Sequence, residues 1–160
     1  MRIRKVTISD VPELKLLYEN TILSINSRDY NREQISAWVS TSENTDSLQK
    51  KILEDYFIVA IANDGTITGF ASLNEKSGYL DVLYVHKDYQ EMGIATMLVH
   101  DLLKIANDLQ IKEITTDASI TARPFFEKRG FRLTTVQKVV VRRVEMTNFK
   151  MSFTLDPHKV

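Results

Sequence analysis

YVHKDYQEMGIATMLV, from Tyr84 to Val99, passes from a β-rich run through a polar turn into a helical pattern, with Gly93 near the join. A strand feeding such a turn leaves the first helical amides without internal partners. The helix dipole adds roughly +0.5 charge at the same place. A phosphate fits there. Gly93 lets a ligand approach the backbone with no Cβ in the way, and Gln90 offers a side-chain amide. The other reading is a plain tight turn, and spacing alone leaves both open. Neither GxxxxGK[ST] nor GxGxxG occurs, which disfavours a P-loop and a dinucleotide fingerprint.

Working outward, Tyr56 to Ile61 reads as a strand, Asn63-Asp64-Gly65 as a hairpin turn, and Ile67 to Leu73 as its partner. Lys76-Ser77-Gly78 turns again into a third strand, Tyr79 to Val85. The segment before the quoted turn is therefore an antiparallel meander. After it, Ile94, Leu98, Leu102, Ile105 and Leu109 mark a long amphipathic helix ending near Asp108. Glu113 to Thr116 is expected as a short strand, and Ala118 to Lys128 as a helix stopped by Gly130 in a left-handed conformation. Arg132 to Val141 and Glu145 to Leu155 complete the chain as two strands.

Upstream, Arg2 to Ile8 alternates as an opening strand. Ser9-Asp10 offers cap oxygens for a helix to about Ile25, carried by Val11, Leu14, Leu17, Tyr18 and Ile22. Asn31 caps a second helix bearing Ile35 and Trp38, and Asp46 is expected to cap a third through Leu53. With 160 residues, and neither a repeat nor a long linker, the chain reads as one domain over 1–160.

Composition narrows the chemistry. Lys plus Arg number 21 and Asp plus Glu 21, so no general pull toward nucleic acid or an anionic membrane is expected. The absence of cysteine excludes disulfides, Cys-based zinc sites and cysteine nucleophiles. The three histidines, His86, His100 and His158, lack shared ligand spacing, so no catalytic metal is expected. MRIRKVTISD has no apolar signal core and no apolar run reaches ~18 residues, so a cytoplasmic location is the expectation. Lys50-Lys51 and Arg142-Arg143 read as solvated basic pairs.

Gln90-Glu91-Met92-Gly93-Ile94-Ala95 is a Q-x-x-G-x-A pattern, and Leu83-Tyr84-Val85-His86 precedes it. Ala122-Arg123-Pro124-Phe125-Phe126-Glu127-Lys128-Arg129-Gly130-Phe131 follows at a distance. Together, in this order, they resemble the acyl-CoA-binding and later A-x-x-L-Y-E-K-x-G-F motifs of the GCN5-related N-acetyltransferase (GNAT) family. ITARPFFEKRGF and DYNREQISAW bring the resemblance nearest to the bacterial YafP-type acetyltransferases. The implied fold is α/β: a mostly antiparallel mixed sheet of about six to seven strands flanked by about four to five helices. The implied reaction moves an acetyl group from acetyl-CoA, the co-substrate, to a small-molecule or peptide amine by direct attack in a ternary complex.

The resemblance implies roles residue by residue. The turn from Glu91 through Met92, Gly93, Ile94 and Ala95 to Thr96 would bind the pyrophosphate, with Gln90 assisting. The backbones of Leu83 and Val85 would hold the pantetheine arm where the family's strands splay apart. An amide there would polarise the thioester carbonyl, worth ~3 kcal/mol by analogy with oxyanion holes. Glu91 and Met92 depart from the glycine or basic residues common in the family. Phe126 replaces a tyrosine that often serves as the acid, leaving Tyr84 or Ser119 to help or the departing thiolate to be protonated by water; Ser119 also stands where an asparagine is usual and could still reach the CoA arm, with shorter reach.

An amine of pKa ~10.4 must lose a proton before attack. Asp81, alone in an apolar strand two residues before Leu83, is the candidate base; a solvent-facing or loop-satisfying role is its alternative, and Glu75 a weaker candidate. Tyr30, Gln34 and Trp38 are placed at the acceptor pocket, with a core position the alternative for Trp38. A non-catalytic acyl-CoA sensor is the competing function, motivated by Phe126. VQKVVVRRVEM, residues 136–146, is edge-like and compatible with a homodimer through the last strands.

Overall fold

The computed structural model describes residues 1–156, so His158 lies outside the described residues. Seven strands form one sheet: β1 (Arg2–Lys5), β2 (Tyr56–Ile61), β3 (Ile67–Leu73), β4 (Tyr79–Val85), β5 (Glu113–Ser119), β6 (Arg132–Val141) and β7 (Val144–Thr154). Their spatial order is β1-β2-β3-β4-β5-β7-β6, and every pairing is antiparallel except β4 with β5. Five helices accompany them: α1 (Val11–Ser24), α2 (Arg32–Ser40), α3 (Thr45–Glu54), α4 (Ile94–Asp108) and α5 (Arg123–Lys128).

The sheet is covered on both faces, which explains why every residue of β3 is buried. On one face Leu14 and Leu17 of α1 meet Phe57, Val59, Ile67 and Phe70. On the other, Leu98, Leu102 and Ala106 of α4 meet Ala71, Leu73, Ile114 and Met151. Gly69 sets how closely α4 approaches: a Cβ there would stand 2.9 Å from Ile94 Cγ2 and 3.0 Å from Leu98 Cδ1. The α4 N-terminus is thereby held against the end of β4.

The turns follow the expected residues. Gly65, Gly78 and Gly130 all have left-handed φ, and Asn31 caps α2 with its side chain accepting from the Gln34 amide. Several boundaries differ from the sequence reading. β1 ends at Lys5 because the chain turns into a short 3₁₀ segment at Ile8. Asn44, rather than Asp46, caps α3 by accepting from the Ser47 amide at 3.1 Å, and Asp46 lies inside the first turn. Residues 118 and 119, expected to be helical, extend β5, because β7 continues to pair as far as Ser119 with Asn148. The helix starts only at Arg123. Leu109 is 47% exposed, and Ala106 takes its expected place under the helix. Arg142 and Arg143 remain exposed and make the two-residue turn between β6 and β7, both with positive φ. β6 is the outer strand on its side, with Val136 and Val140 exposed. No helix among the described residues is long and apolar enough to cross a membrane.

Two irregularities in β4 matter for function. Ala71 pairs with Leu83 but Leu73 with Leu80, so Ser72 faces both Asp81 and Val82 across a β-bulge. On the other side, β4 pairs with β5 only at Tyr79 with Thr115 and Leu80 with Thr116. Beyond that point the two strands part.

The entry of α1 is fixed by charge. The Asp10 carboxylate, nearly buried, accepts from Arg4 Nη1 and Nη2 at 2.8 and 2.9 Å and from the Thr7 amide at 2.8 Å. It turns back to the preceding loop instead of capping α1. Bonding to Arg4, with the Thr7 amide assisting, holds this carboxyl below its ordinary pKa. A group depressed on folding contributes stability above its unfolded pKa and loses it as pH falls through the folded value. Asp10→Asn is expected to cost about 1–3 kcal/mol at neutral pH. The gap to the parent protein should narrow as pH falls through the acid range, read from urea midpoints; a pH-independent gap would refute this account.

Candidate active site

The parting of β4 and β5 opens a cleft of about 810 Å³. One end is the turn into α4. Glu91 and Gly93 both adopt left-handed φ, +59 and +80, so the backbone there coils with its amides facing outward from the helix start. Gly93 caps α4 by position, with no side-chain cap bond, and the first bond back to the cap is Met97 N–H to the Gly93 carbonyl at 3.0 Å. The amides of Ile94, Ala95 and Thr96 therefore have no helical partner. Thr96, Met92 and Glu91 are exposed.

Gln90 is not aimed at this anion site. Its amide nitrogen turns inward, donating to the Val85 carbonyl at 2.8 Å and more weakly to that of His86 at 3.3 Å. It closes the turn. The positive charge that the sequence reading missed comes from Arg129. Its guanidinium donates to the Thr96 hydroxyl, lies 4.0 Å above the Phe125 ring, and leaves a buried Nε without a partner. The available signal was a basic Lys128-Arg129 pair directly before the Gly130 stop. Both residues line the cleft beside the α4 N-terminus.

The middle of the cleft is the free edge of β4. His86 N–H bonds the Thr68 carbonyl at 2.8 Å, so in the alternating ladder Tyr84 and His86 face β3. The N–H and C=O groups of Leu83 and Val85 then face the side from which β5 has departed. The Val85 carbonyl is already taken by Gln90 and by the Thr21 hydroxyl at 2.9 Å. The amides of Leu83 and Val85 remain as outward donors. Across the gap, Ser119 Oγ accepts from the Ala122 amide at 3.0 Å and shapes the β5–α5 connection. Phe126, which borders the cleft, is 2% exposed and packed edge-on against Phe125 and Phe131.

Asp81 lines the cleft from the bulge. Its carboxylate is 2.7 Å from Lys51 Nζ, both side chains being largely shielded. Lys51 is thus no solvated charge, in contrast to Lys50, which is exposed. Glu75 does not line the cleft. Tyr84 points to the α1 face, edge-on to Tyr18 at 4.8 Å between ring centroids. Burial pushes the pKa of its hydroxyl well up, and the neighbouring Tyr18 adds to this, so it stays protonated.

The far end is walled by α2, β6 and β7. Tyr30 donates to the Thr147 carbonyl at 3.1 Å and accepts from the Ile120 amide at 2.9 Å, and its ring meets Trp38 edge-on at 5.3 Å. Tyr30 and Trp38 both line the cleft, as expected. Gln34 does not. It completes the capping box with Asn31 and donates to the Glu145 carbonyl at 3.0 Å, because its position on α2 faces the β6–β7 hairpin. Asn26, which the sequence reading did not single out, is 6% exposed, lines the cleft and has a buried Oδ1 with no partner. No group of three metal-ligating side chains occurs among the described residues, and His86 Nδ1 accepts from the Asp88 amide at 3.0 Å.

Comparison with known proteins places this geometry. The family model described as the acetyltransferase (GNAT) domain matches residues 26–153. The Escherichia coli K12 protein named uncharacterized N-acetyltransferase YafP is 34% identical over 153 residues, which cover 96% of this chain and 95% of that protein. A solved structure described as a GCN5-related N-acetyltransferase from Rhodopseudomonas palustris superposes with a TM-score of 0.91 at 28% identity, covering 96% of this chain and 95% of that one. The PaiA N-acetyltransferase of Thermoplasma acidophilum, solved in complex with coenzyme A, shares the fold with a TM-score of 0.80 at 22% identity, covering 96% of this chain and 98% of that one. The chain belongs to the GNAT family of acetyl-CoA-dependent acyltransferases.

Proposed function

We propose that this protein transfers the acetyl group of acetyl-CoA to an amine by direct attack while both substrates occupy the cleft. The observation that carries the reading is the continuity of unpaired backbone donors from the Leu83 and Val85 amides to the bare start of α4. A pantetheine arm can add to β4 as an extra strand, and a diphosphate can lie on the helix start with Arg129 alongside. The sign of the site suits such a molecule, apart from Glu91.

Acetyl-CoA supplies an activated thioester. The acceptor nitrogen forms a bond to the thioester carbonyl carbon, the carbon–sulfur bond breaks, and the sulfur leaves as a thiolate. The amide of Val85 is placed to stabilise the oxygen charge that develops meanwhile. Before attack the acceptor ammonium gives one proton through water to Asp81, with Lys51 holding that carboxylate at the bulge, and the nitrogen gives up its second proton to water as the new bond forms. Water carries a proton to the thiolate, since the Tyr84 hydroxyl is buried on the α1 face and held protonated there, and CoA and an N-acetyl product leave.

Three measurements test this reading. CoA at about 100 times its Kd should stabilise the fold by ~2.7 kcal/mol, which raises Tm by roughly 5–10 °C for a chain of this size. No shift at millimolar CoA would overturn the proposal. Second, Glu91→Gly should raise both Tm and CoA affinity, since it removes a left-handed non-glycine residue costing about 1–2 kcal/mol and a carboxylate from the anion site; unchanged CoA affinity would separate Glu91 from the phosphate path. Third, Asp81→Asn should lower thiol release by about 10²-fold or more while acetyl-CoA still binds, with the rate climbing more steeply toward alkaline pH. An unchanged pH–rate profile would remove Asp81 as the base.

A further inference from the structure

Lys51 and Asp81 form a largely shielded ion pair at the bulge, 2.7 Å apart. Such a pair poses a problem for a base. When Asp81 takes up the acceptor's proton it becomes neutral, and the Lys51 ammonium is left without a counter-charge. An uncompensated charge away from bulk water is costly, and the cost falls on the proton transfer. A second carboxylate within reach of Lys51 would remove it.

Asp55 is such a carboxylate. It stands four residues after Lys51, just past the end of α3, and its amide donates to the Lys51 carbonyl at 2.9 Å. Side chains at this spacing lie on one helix face. Asn74, directly after β3, donates its Nδ2 to Asp55 Oδ1 at 3.0 Å. Asn74 is fixed in turn, because its Oδ1 accepts from the Lys76 amide, the Ser77 amide and the Ser77 hydroxyl at 3.1, 2.9 and 3.0 Å. The β3–β4 turn thus holds the Asp55 carboxylate beside the pair. Burial pushes its pKa up, the Asn74 bond pulls it down, and the charges of Asp81 and Lys51 act on it in opposite senses. Glu54 is the other charge that bears on it, and Glu54 is 4.0 Å from Lys50. Asp81 also faces the hydroxyls of Tyr18, Tyr79 and Tyr84, all pushed up by burial and therefore uncharged near neutrality. Two carboxylates are left to share one lysine.

We propose that Asp55 is a positioning residue for the transfer: it receives the Lys51 ammonium when Asp81 takes the acceptor's proton, and releases it when Asp81 passes that proton to water. This rests on the acetyl-transfer reading with Asp81 as base. One proton arrives at Asp81 and the same proton leaves, while Lys51 keeps its charge throughout. Neither Asp55 nor Lys51 lines the cleft, so both act through Asp81.

The movement can be read without an acceptor. In Asp81→Asn, position 81 is neutral, as it is after proton transfer. A crystal structure of that variant should place Lys51 Nζ within ~4 Å of an Asp55 carboxylate oxygen. An ammonium still on the side chain at position 81, or turned to solvent, would overturn the proposal. Kinetics follow by thiol release from acetyl-CoA, with ethylamine, phenethylamine and a lysine-containing peptide as amines. Asp55→Asn keeps an oxygen for Asn74 but no charge for Lys51. It should lower kcat about tenfold at neutral pH and leave the KM for acetyl-CoA unchanged. The ratio of parent to variant should close as pH falls through the range where Asp55 itself takes a proton, because the anion is then absent from both. An unchanged kcat, or a ratio constant with pH, would make Asp55 structural and overturn its role. In a Lys51→Met background Asp55→Asn should cost nothing further, since no ammonium is left to move; additive losses would count against the proposal equally. Asp81→Asn with the parent's pH–rate profile would remove the base, and the part of Asp55 with it. A parent that neither binds CoA nor releases thiol would instead overturn acetyl transfer, while the Asp81→Asn structure still decides whether Lys51 moves.

Discussion

The site depends on one interrupted ladder. β4 and β5 are parallel neighbours for two residue pairs and then separate, although both strands continue. In a closed sheet the Leu83 and Val85 amides would be satisfied by the next strand. Here they are donors without a sheet partner, at the bottom of a cleft, and a linear ligand with its own amides can occupy the place of the missing strand. The interruption is stable because each strand is held from its other side: β4 by β3 through Val85, and β5 by β7 through Ser119. The bulge at Asp81 and Val82 bends β4 at the point of departure and turns a carboxylate into the gap.

The phosphate end is built largely from backbone, which is why its sign survives an unfavourable side chain. Glu91 occupies a left-handed position that glycine would fill without strain, and it brings negative charge near an anion site. Against it stand the partial charges of three unpaired helical amides and the full charge of Arg129. Arg129 is held by its contact with Thr96 and by the Phe125 ring, so its position is set before any ligand arrives.

What was legible in the sequence was what local spacing encodes. The hairpin at Gly65, the cap at Asn31, the stripe from Ile94 to Leu102 and the bare turn at Gly93 each announce themselves within a few residues. The cleft itself was reached through resemblance, since nothing in the spacing of β4 and β5 says that they part. Residues whose roles come from distant partners were misread or missed. Lys51 looked like half of a solvated pair, yet its partner is Asp81, thirty residues on and across an element. Gln34 carried a helical position suited to a pocket wall, but the β6–β7 hairpin claimed that face. Asn26 gives no signal at all in one dimension; only burial without a partner marks it.

The gap between the strands is also braced from outside, and the bracing ties the acceptor end to the thioester end. At the end of α1, Thr21 grips the β4 lip through the Val85 carbonyl. Nine residues later, Tyr30 grips the other lip through the Ile120 amide and the Thr147 carbonyl. The chain between Thr21 and Tyr30 therefore straddles the opening and fixes its width with three hydrogen bonds. The Tyr30 wall of the cleft and the β4 edge proposed for the thioester are therefore set against each other by the same short segment. Geometry between nucleophile and carbonyl is thus a property of the brace, since a shift of either grip would move the amine site relative to the β4 amides.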